Sequence, residues 1–202
     1  MSMREGINRL AQKLLGRIYT TDTLKLISAT LEDMAQNKSF KLHAHAIASD
    51  KTLSTAQKRT QLLYLVRSVE EPLLYDFFSD ELNDEKLWLF VNDEIDYFDK
   101  FVQEFQLSTK DIAVLSLTTA RELEAKKIKA IVTDLSKVFG KKVMIKHEVN
   151  PGILGGAQVK FGNMIYDMSL RSKFQQFQHE WLTSIKQTEA KLGVHQSGPN
   201  LT

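Results

Sequence analysis

Apolar residues recur at helical spacing through the first half of the chain. Ile7, Leu10, Ala11, Leu14 and Ile18 fall three or four residues apart and predict a first helix. Thr21-Asp22 can start a second, carrying Leu24, Ile27, Leu31 and Met34 on one face. A short third helix is predicted from Ser39 to Ala48. Ser54-Thr55-Ala56-Gln57 has the form of a capping box, in which the serine accepts from a backbone amide and the glutamine reaches back. The fourth helix follows it with Leu62, Leu63, Leu65 and Val66. Pro72 suits the first turn of a fifth, where a missing amide costs nothing, and Leu73, Leu74, Phe77 and Phe78 give that helix its apolar face. Asp84 is the predicted cap of a sixth, long helix with Leu87, Val91, Ile95, Phe98, Val102 and Phe105. Strand alternation and glycine turns are missing from this half, so it reads as a six-helix bundle over residues 1–106.

The pattern changes near Ser108. Asp111 to Leu117 is a short apolar run rich in β-branched residues, as in a buried strand. Thr119-Ala120-Arg121-Glu122 reads as a second capping box, opening a helix with Leu123, Ile128, Ile131, Leu135 and Val138. Gly140 ends that helix in the left-handed position, with Lys137 in its last turn. Lys142 to Glu148 alternates as a second strand, with Val143 and Ile145 on one face. Gly155-Gly156 leads into the alternating segment Ala157 to Phe161. Gly162-Asn163 reads as a two-residue hairpin turn, and Met164 to Asp167 returns as a strand. Ser169 starts a last helix with Leu170, Phe174, Phe177, Leu182 and Ile185 on one face. The expected architecture is α+β: the helical bundle, then a small α/β domain of strand, helix, strand, hairpin and helix over 107–192. Residues 193–202 carry no pattern and read as a disordered tail.

The glycine stretch raises the possibility of a phosphate cradle. Such a loop needs a helix directly after the glycines, and a lysine–hydroxyl pair beside them. Here a strand pattern follows Gly156 and no such pair does. The glycines read better as turn architecture, with positive φ between strands.

The ordered pattern Val149-Asn150-Pro151-x-Ile153-Leu154-Gly155-Gly156, then Val159, Gly162-Asn163, Ile165, Asp167-x-Ser169-Leu170 and Lys173-Phe174, resembles a known signature. It is similar to the C-terminal end of the delta subunit of F-type ATP synthases, whose mitochondrial counterpart is the oligomycin-sensitivity-conferring protein. That family usually has aspartate at the positions of Asn150 and Asn163, and leucine at that of Phe174. Asparagine also accepts turns and left-handed backbone.

The resemblance implies a non-catalytic stator subunit, present as a single copy, that resists rotational torque during proton-coupled ATP synthesis or hydrolysis. The helical domain would bind the catalytic head through the N-terminal helices of alpha subunits. The smaller domain would bind b-type peripheral-stalk subunits. The family's groove between the first and fifth helices, carried onto this chain, points to Leu10, Leu14, Ile18, Leu73, Phe77 and Phe78. Phe174, Phe177 and Trp181 are the expected stalk contacts. Asn150, Pro151, Gly155, Gly156, Gly162, Asn163, Asp167 and Ser169 are expected to shape the turns. No catalytic residue, cofactor or metal is expected. The complex would hold the subunit at the cytoplasmic face of a bacterial membrane or the matrix side of the mitochondrial inner membrane. The starting methionine, Glu5 and the scarcity of serine near the N-terminus favour the bacterial setting.

Composition narrows the alternatives. The 202 residues are 43% hydrophobic, enough for one large core or two small ones. A net charge of +2 sets up no strong field of one sign, so unaided nucleic-acid binding is disfavoured. The chain contains no cysteine, which removes disulfides, thiolate metal sites and cysteine nucleophiles. No apolar run reaches the ~18 residues of a membrane span. His43 and His45 stand two apart, the wrong spacing for a metal pair on one helix face. Asp93, Glu94, Asp96 and Asp99 read as the solvated face of the sixth helix. The rival reading is a small nucleotide- or RNA-binding protein using the Gly155-Gly156 turn, with charge from Lys141, Lys142, Arg171 and Lys173. A helical regulator that merely shares the bundle pattern is a third.

Overall fold

The computed structural model describes residues 3–91 and 94–192, with the side chains of 84, 85, 171 and 184–192 outside that description. Asp93 and the tail 193–202, for which the sequence set expectations, lie outside the described residues. Among the described residues the chain forms eight α-helices and a four-stranded sheet, a mixed helix-and-sheet fold. α1 (Met3–Gly16), α2 (Thr21–Gln36), α3 (Lys38–Ser49), α4 (Thr55–Arg67), α5 (Pro72–Glu81) and α6 (Tyr97–Ser108) come first. β1 (Ala113–Thr119), α7 (Ala125–Phe139), β2 (Val143–Val149), β3 (Ala157–Phe161), β4 (Met164–Asp167) and α8 (Leu170–Leu192) follow.

Side-chain caps explain most of the helix starts. The Thr20 hydroxyl accepts from the Thr23 amide and opens α2. Asn37 ends α2 and, through its side chain, accepts from the Phe40 amide to open α3. Ser54 and Gln57 form the full capping box ahead of α4. Pro72 stands in the first turn of α5.

Two expected helices are corrected. The long helix predicted from Asp84 is broken: Asp84–Phe90 is a 3-10 turn, Val91 is extended, and α6 begins only after Asp96, whose carboxylate accepts from the Asp99 amide. Packing is the reason. On one continuous helix Phe90 and Phe98 would stand about 12 Å apart along the axis. In the fold their rings stack with centroids 5.6 Å apart, beside Phe40, Phe78 and Phe101. Ile95, expected on the buried face, is exposed as a result. The capping box predicted at Thr119 also does not form. Thr119 ends β1, and its hydroxyl donates to the Arg121 carbonyl at 2.6 Å and meets His147 Nε2 at 2.7 Å. With that hydroxyl committed, the helix starts later, at Ala125.

The strand order is β2-β1-β3-β4, with β1–β3 and β3–β4 antiparallel. Ala113, Leu115, Leu117 and Thr119 alternate inward along β1, as period two requires. Gly162, at φ +56, turns the β3–β4 hairpin, and Phe161 pairs with Met164 across it.

The described residues separate into two compact units, one running up to residue 114 and including 125–146, the other made of 115–124 and the described residues from 147 on. This differs from the boundary expected at 106, because α7 and the first part of β2 group with the helical segments. The Ile145 amide donates to the Tyr19 carbonyl at 3.0 Å, and Thr20 and Ile145 form an isolated bridge. Met144 is fully buried within the same core cluster as Leu14, Leu31, Phe77 and Phe101.

Candidate functional site

In the second unit the turn residues fix where α8 begins. Asn150 accepts from the Gly152 amide, which closes the short 3-10 turn Pro151–Ile153. Gly155 and Gly156 have φ of +113 and +79. A Cβ on Gly156 would stand 2.5 Å from the Met168 carbonyl oxygen, so the loop and the start of α8 touch backbone to backbone. Asp167 Oδ1 accepts from the Ser169 amide, and the buried Ser169 hydroxyl accepts from the Ser172 amide. The Ser169 hydroxyl and amide, with help from Gln158, hold the Asp167 carboxyl below its ordinary pKa. The loop leads directly into β3, and Leu170 donates its amide to the Gly155 carbonyl at 3.0 Å. A helix N-terminus facing an anion is therefore not what this loop builds.

α8 carries an apolar stripe that stays open. Leu170, Phe174, Phe177 and Trp181 are 58–62% exposed. Met164, Ile165, Tyr166 and Met168 add further exposed apolar surface at and after the edge strand β4. Large contiguous patches of this kind mark binding surfaces in soluble domains. The expected contacts Phe174, Phe177 and Trp181 are thus brought onto one exposed face. Ile185, expected beside them, lies outside the described side chains.

The residues expected to line an alpha-subunit groove are placed otherwise. Leu10, Leu14, Ile18, Phe77 and Phe78 are buried in the core of the helical unit, and Leu73 is half-buried against it. Helical spacing identifies a face without saying whether that face meets core or partner, and here it meets core. The seam between α1 and α5 is further bridged by Lys13–Glu81 at 2.8 Å and Arg17–Asp80 at 2.9 Å. An open groove of about 500 Å³ lies instead along α1 and α6, lined by Met3, Ile7, Ile95, Tyr97 and Leu107 among others. Sequence reasoning missed it. Its signal was available in Met3 and Leu107, apolar residues at the ends of their helices and off the buried face.

The charged residues serve the fold. Lys41 pairs with Asp96 and, at 2.9 Å, with Asp99, which ties α3 to the start of α6. Burial opposes the charge on Lys41, yet hydrogen bonds and attraction from both aspartates outweigh it and raise the pKa. Lys141 lies 3.8 Å from Asp111. Lys142 is half-buried with its ammonium 4.9 Å from the Tyr19 ring centroid, and burial pushes its pKa down. Neither lysine is a free basic contact. His43 and His45 meet Ser39 and Ser49 respectively, within their own helix. Among the described residues no group of three or more histidines and carboxylates could hold a metal ion. No described helix is long and apolar enough to cross a membrane.

Residues 19–180 match the family model for the ATP synthase delta (OSCP) subunit. The chain belongs to the ATP synthase delta (OSCP) subunit family. ATP synthase subunit delta of Geotalea uraniireducens (strain Rf4) is 38% identical over 63 residues, covering 31% of this chain and 35% of that protein. ATP synthase subunit delta of Rhodopseudomonas palustris (strain BisB18) is 36% identical over 89 residues, covering 44% and 46%. The mitochondrial ATP synthase subunit O of Ipomoea batatas is 28% identical over 118 residues, covering 56% and 48%. The matched stretches span roughly a third to a half of these relatives' own length. A chain of the Toxoplasma gondii mitochondrial ATP synthase hexamer aligns over 87% of this chain and 97% of its own, at 17% identity and a TM-score of 0.34, a likeness too loose to carry an argument.

Proposed function

We propose that this chain is a non-catalytic stator subunit of an F-type ATP synthase, joining the catalytic head to the peripheral stalk. Family membership supports the assembly, and the exposed stripe Leu170-Phe174-Phe177-Trp181 carries the docking role. Torque resistance needs broad apolar contact with partners and no reacting groups. The stripe supplies such a surface, since each large apolar side chain removed from water contributes about 1.5–3 kcal/mol. The helices of residues 1–106, read as a six-helix bundle, seat an N-terminal helix of an alpha subunit. The α1–α6 groove is the surface for it, because a helix-in-groove contact needs open apolar anchors and the core residues offer none. Residues 107–192, read as a small α/β domain, seat the b-type stalk along α8. A single copy stands in each complex, and the complex holds it at the membrane. That position is on the cytoplasmic face in bacteria or the matrix side in mitochondria.

The nucleotide- or RNA-binding reading loses its main supports among the described residues. Its glycines lead into a strand, Lys141 is paired, and Lys142 is half-buried.

The test is reconstitution with the full chain. Catalytic heads stripped of their own delta subunit are mixed with stalk-bearing membranes, and head retention is measured with and without this chain. Restored retention is expected. Leu107→Asp should weaken capture of an alpha N-terminal peptide, and Trp181→Asp capture of the stalk, each leaving the other contact intact. Absence of any restored retention would sink the stator reading.

A further inference from the structure

The seam between α1 and α6 repeats at a fixed offset. The Asn8 side-chain amide donates to Glu104 Oε1 at 2.9 Å, and the Gln12 side-chain amide donates to Ser108 Oγ at 3.0 Å. Both pairs are 96 residues apart in sequence. Two helices keep a constant difference of residue number across their seam only when they run parallel, since an antiparallel pair keeps a constant sum. The rung one four-residue step earlier, about 6 Å along the axis, is therefore Arg4 opposite Lys100.

That rung departs from the other two. They match a donor to an acceptor, whereas here two cations stand opposite each other and repel. Arg4 and Lys100 both line the open groove along α1 and α6, together with Met3, Ile7 and Leu107. Among the described residues neither cation has an ion-pair partner. Glu104 is the one carboxylate among the groove's described lining residues, and Asn8 holds it on its own rung. The groove thus combines an apolar lining with two cations that nothing in it neutralises.

We infer that the Arg4–Lys100 rung is a carboxylate-binding site for the segment that fills the groove. This rests on the α1–α6 groove as the seat of an alpha-subunit segment. The occupant is one apolar segment of an alpha subunit that carries an aspartate or glutamate at the end of its apolar contact. Its carboxylate accepts from the Arg4 guanidinium and from the Lys100 ammonium, a planar fork and a point donor that can share one acceptor group. Charge complementarity decides this chemistry. An uncharged segment would strip water from two cations and give them no counter-charge, and a basic one would add a third like charge.

The experiment uses the full chain and two synthetic peptides, with affinity read by calorimetry at low salt, where exposed charges are least screened. One peptide copies the N-terminal segment of the cognate alpha subunit. The other is the same segment with every aspartate and glutamate changed to asparagine and glutamine. Arg4→Gln and Lys100→Gln should each weaken the acidic peptide about five-fold, the upper end for an exposed ion pair, and leave the amide copy unaffected. Lys25→Gln, at an exposed position on α2 outside the groove, should change neither. Lys100→Glu gives a readout of opposite sign. It should weaken the acidic peptide further, yet it makes the rung complementary, so the thermal midpoint of the free chain should stay level or rise. If Leu107→Asp abolishes binding while both glutamine variants stay within about 1.5-fold of the parent, the carboxylate site fails and the groove reading stands. Equal losses for both peptides would show that the cations read no carboxylate, which also overturns the inference, as would an alpha segment without aspartate or glutamate. A lowered midpoint for Lys100→Glu would contradict the like-charge rung on which the site is built. Absence of binding by the parent chain overturns both readings. Self-association of the free chain that Lys100→Gln abolishes would assign the rung to a second copy and overturn the alpha-subunit occupant.

Discussion

Replacing Gly156 by alanine tests whether this glycine sets the start of α8. The new Cβ would stand 2.5 Å from the Met168 carbonyl oxygen and 2.8 Å from the Ser169 Cα, where ordinary contact begins at 3.4 Å. Both are backbone atoms and cannot swing aside as a side-chain tip can. The carbonyl must retreat by 3.4 − 2.5 = 0.9 Å. Met168 donates its amide to the Ala157 carbonyl at 2.9 Å and Leu170 donates to the Gly155 carbonyl at 3.0 Å, so that retreat strains two hydrogen bonds at once. Losing one of them costs about 1 kcal/mol. Left-handed backbone for alanine adds about 1 kcal/mol, and the residual crowding about 1 kcal/mol more. The sum, about 3 kcal/mol, is a large part of the 5–15 kcal/mol that holds a typical domain. Gly162→Ala is the control: its φ is +56, but nothing lies within 4 Å of the added carbon, so only the conformational term of about 1 kcal/mol applies. Amide hydrogen exchange at Met168 and Leu170 reads the effect where it arises. If Gly156→Ala and Gly162→Ala agree within about 0.5 kcal/mol, the backbone-contact reasoning is refuted.

Three further outcomes are expected. Glu81 is buried between Lys13 at 2.8 Å and Lys86 at 2.6 Å; burial favours its neutral form, but the two ammonium groups outweigh it and hold its pKa below the ordinary glutamate value. Its stabilisation is therefore present above the ordinary glutamate pKa and lost as pH falls through the depressed folded value; Glu81→Gln should cost about 2 kcal/mol at pH 7 and flatten the acid limb of the stability profile, and an unchanged slope counts against this. Phe101→Ala should cost about 4 kcal/mol by chemical denaturation, because the ring is fully buried against Phe77, Phe78 and Phe98; a loss under about 1 kcal/mol would contradict that packing. Thr119→Val keeps shape but deprives the Arg121 carbonyl and His147 of their partner, for a loss of about 2 kcal/mol; unaltered His147 chemical shifts in NMR would show that the bond is not made.

What the sequence made legible was local. Ser54–Gln57 and Pro72 announce their helices because capping is settled within one turn. The hairpin at Gly162 and the positive φ of Gly155 and Gly156 follow from residue type. The Thr119 box failed because its hydroxyl is claimed by His147, 28 residues away. The break before α6 was hidden in part for a similar reason: besides the Asp96 cap, the stacking of Phe90 on Phe98 favours it over a continuous helix. In the candidate site, the α8 stripe was readable because apolar residues lie on a helix whose other faces are polar. The α1–α6 groove was not, since periodicity reports that a face is apolar and leaves open what covers it. Leu154, which caps the turn Pro151–Ile153 at φ +56, gave no warning, because leucine's preferences point away from left-handed backbone.

The burial of Met144 in the helical core bears on the order in which the chain can fold. A ribosome that has delivered residues 3–108 has delivered α1 to α6, but not the side chain that completes their core. That side chain arrives only with β2, after α7 has been made. Vectorial synthesis therefore leaves the helices waiting on a contact of long sequence separation, and long-range closure is the slow step in assembling a chain. A fragment ending at 106 would stay in that unfinished state, with apolar surface where Met144 belongs. Aggregation or chaperone capture of such a fragment would then report an incomplete core rather than an unstable helical fold.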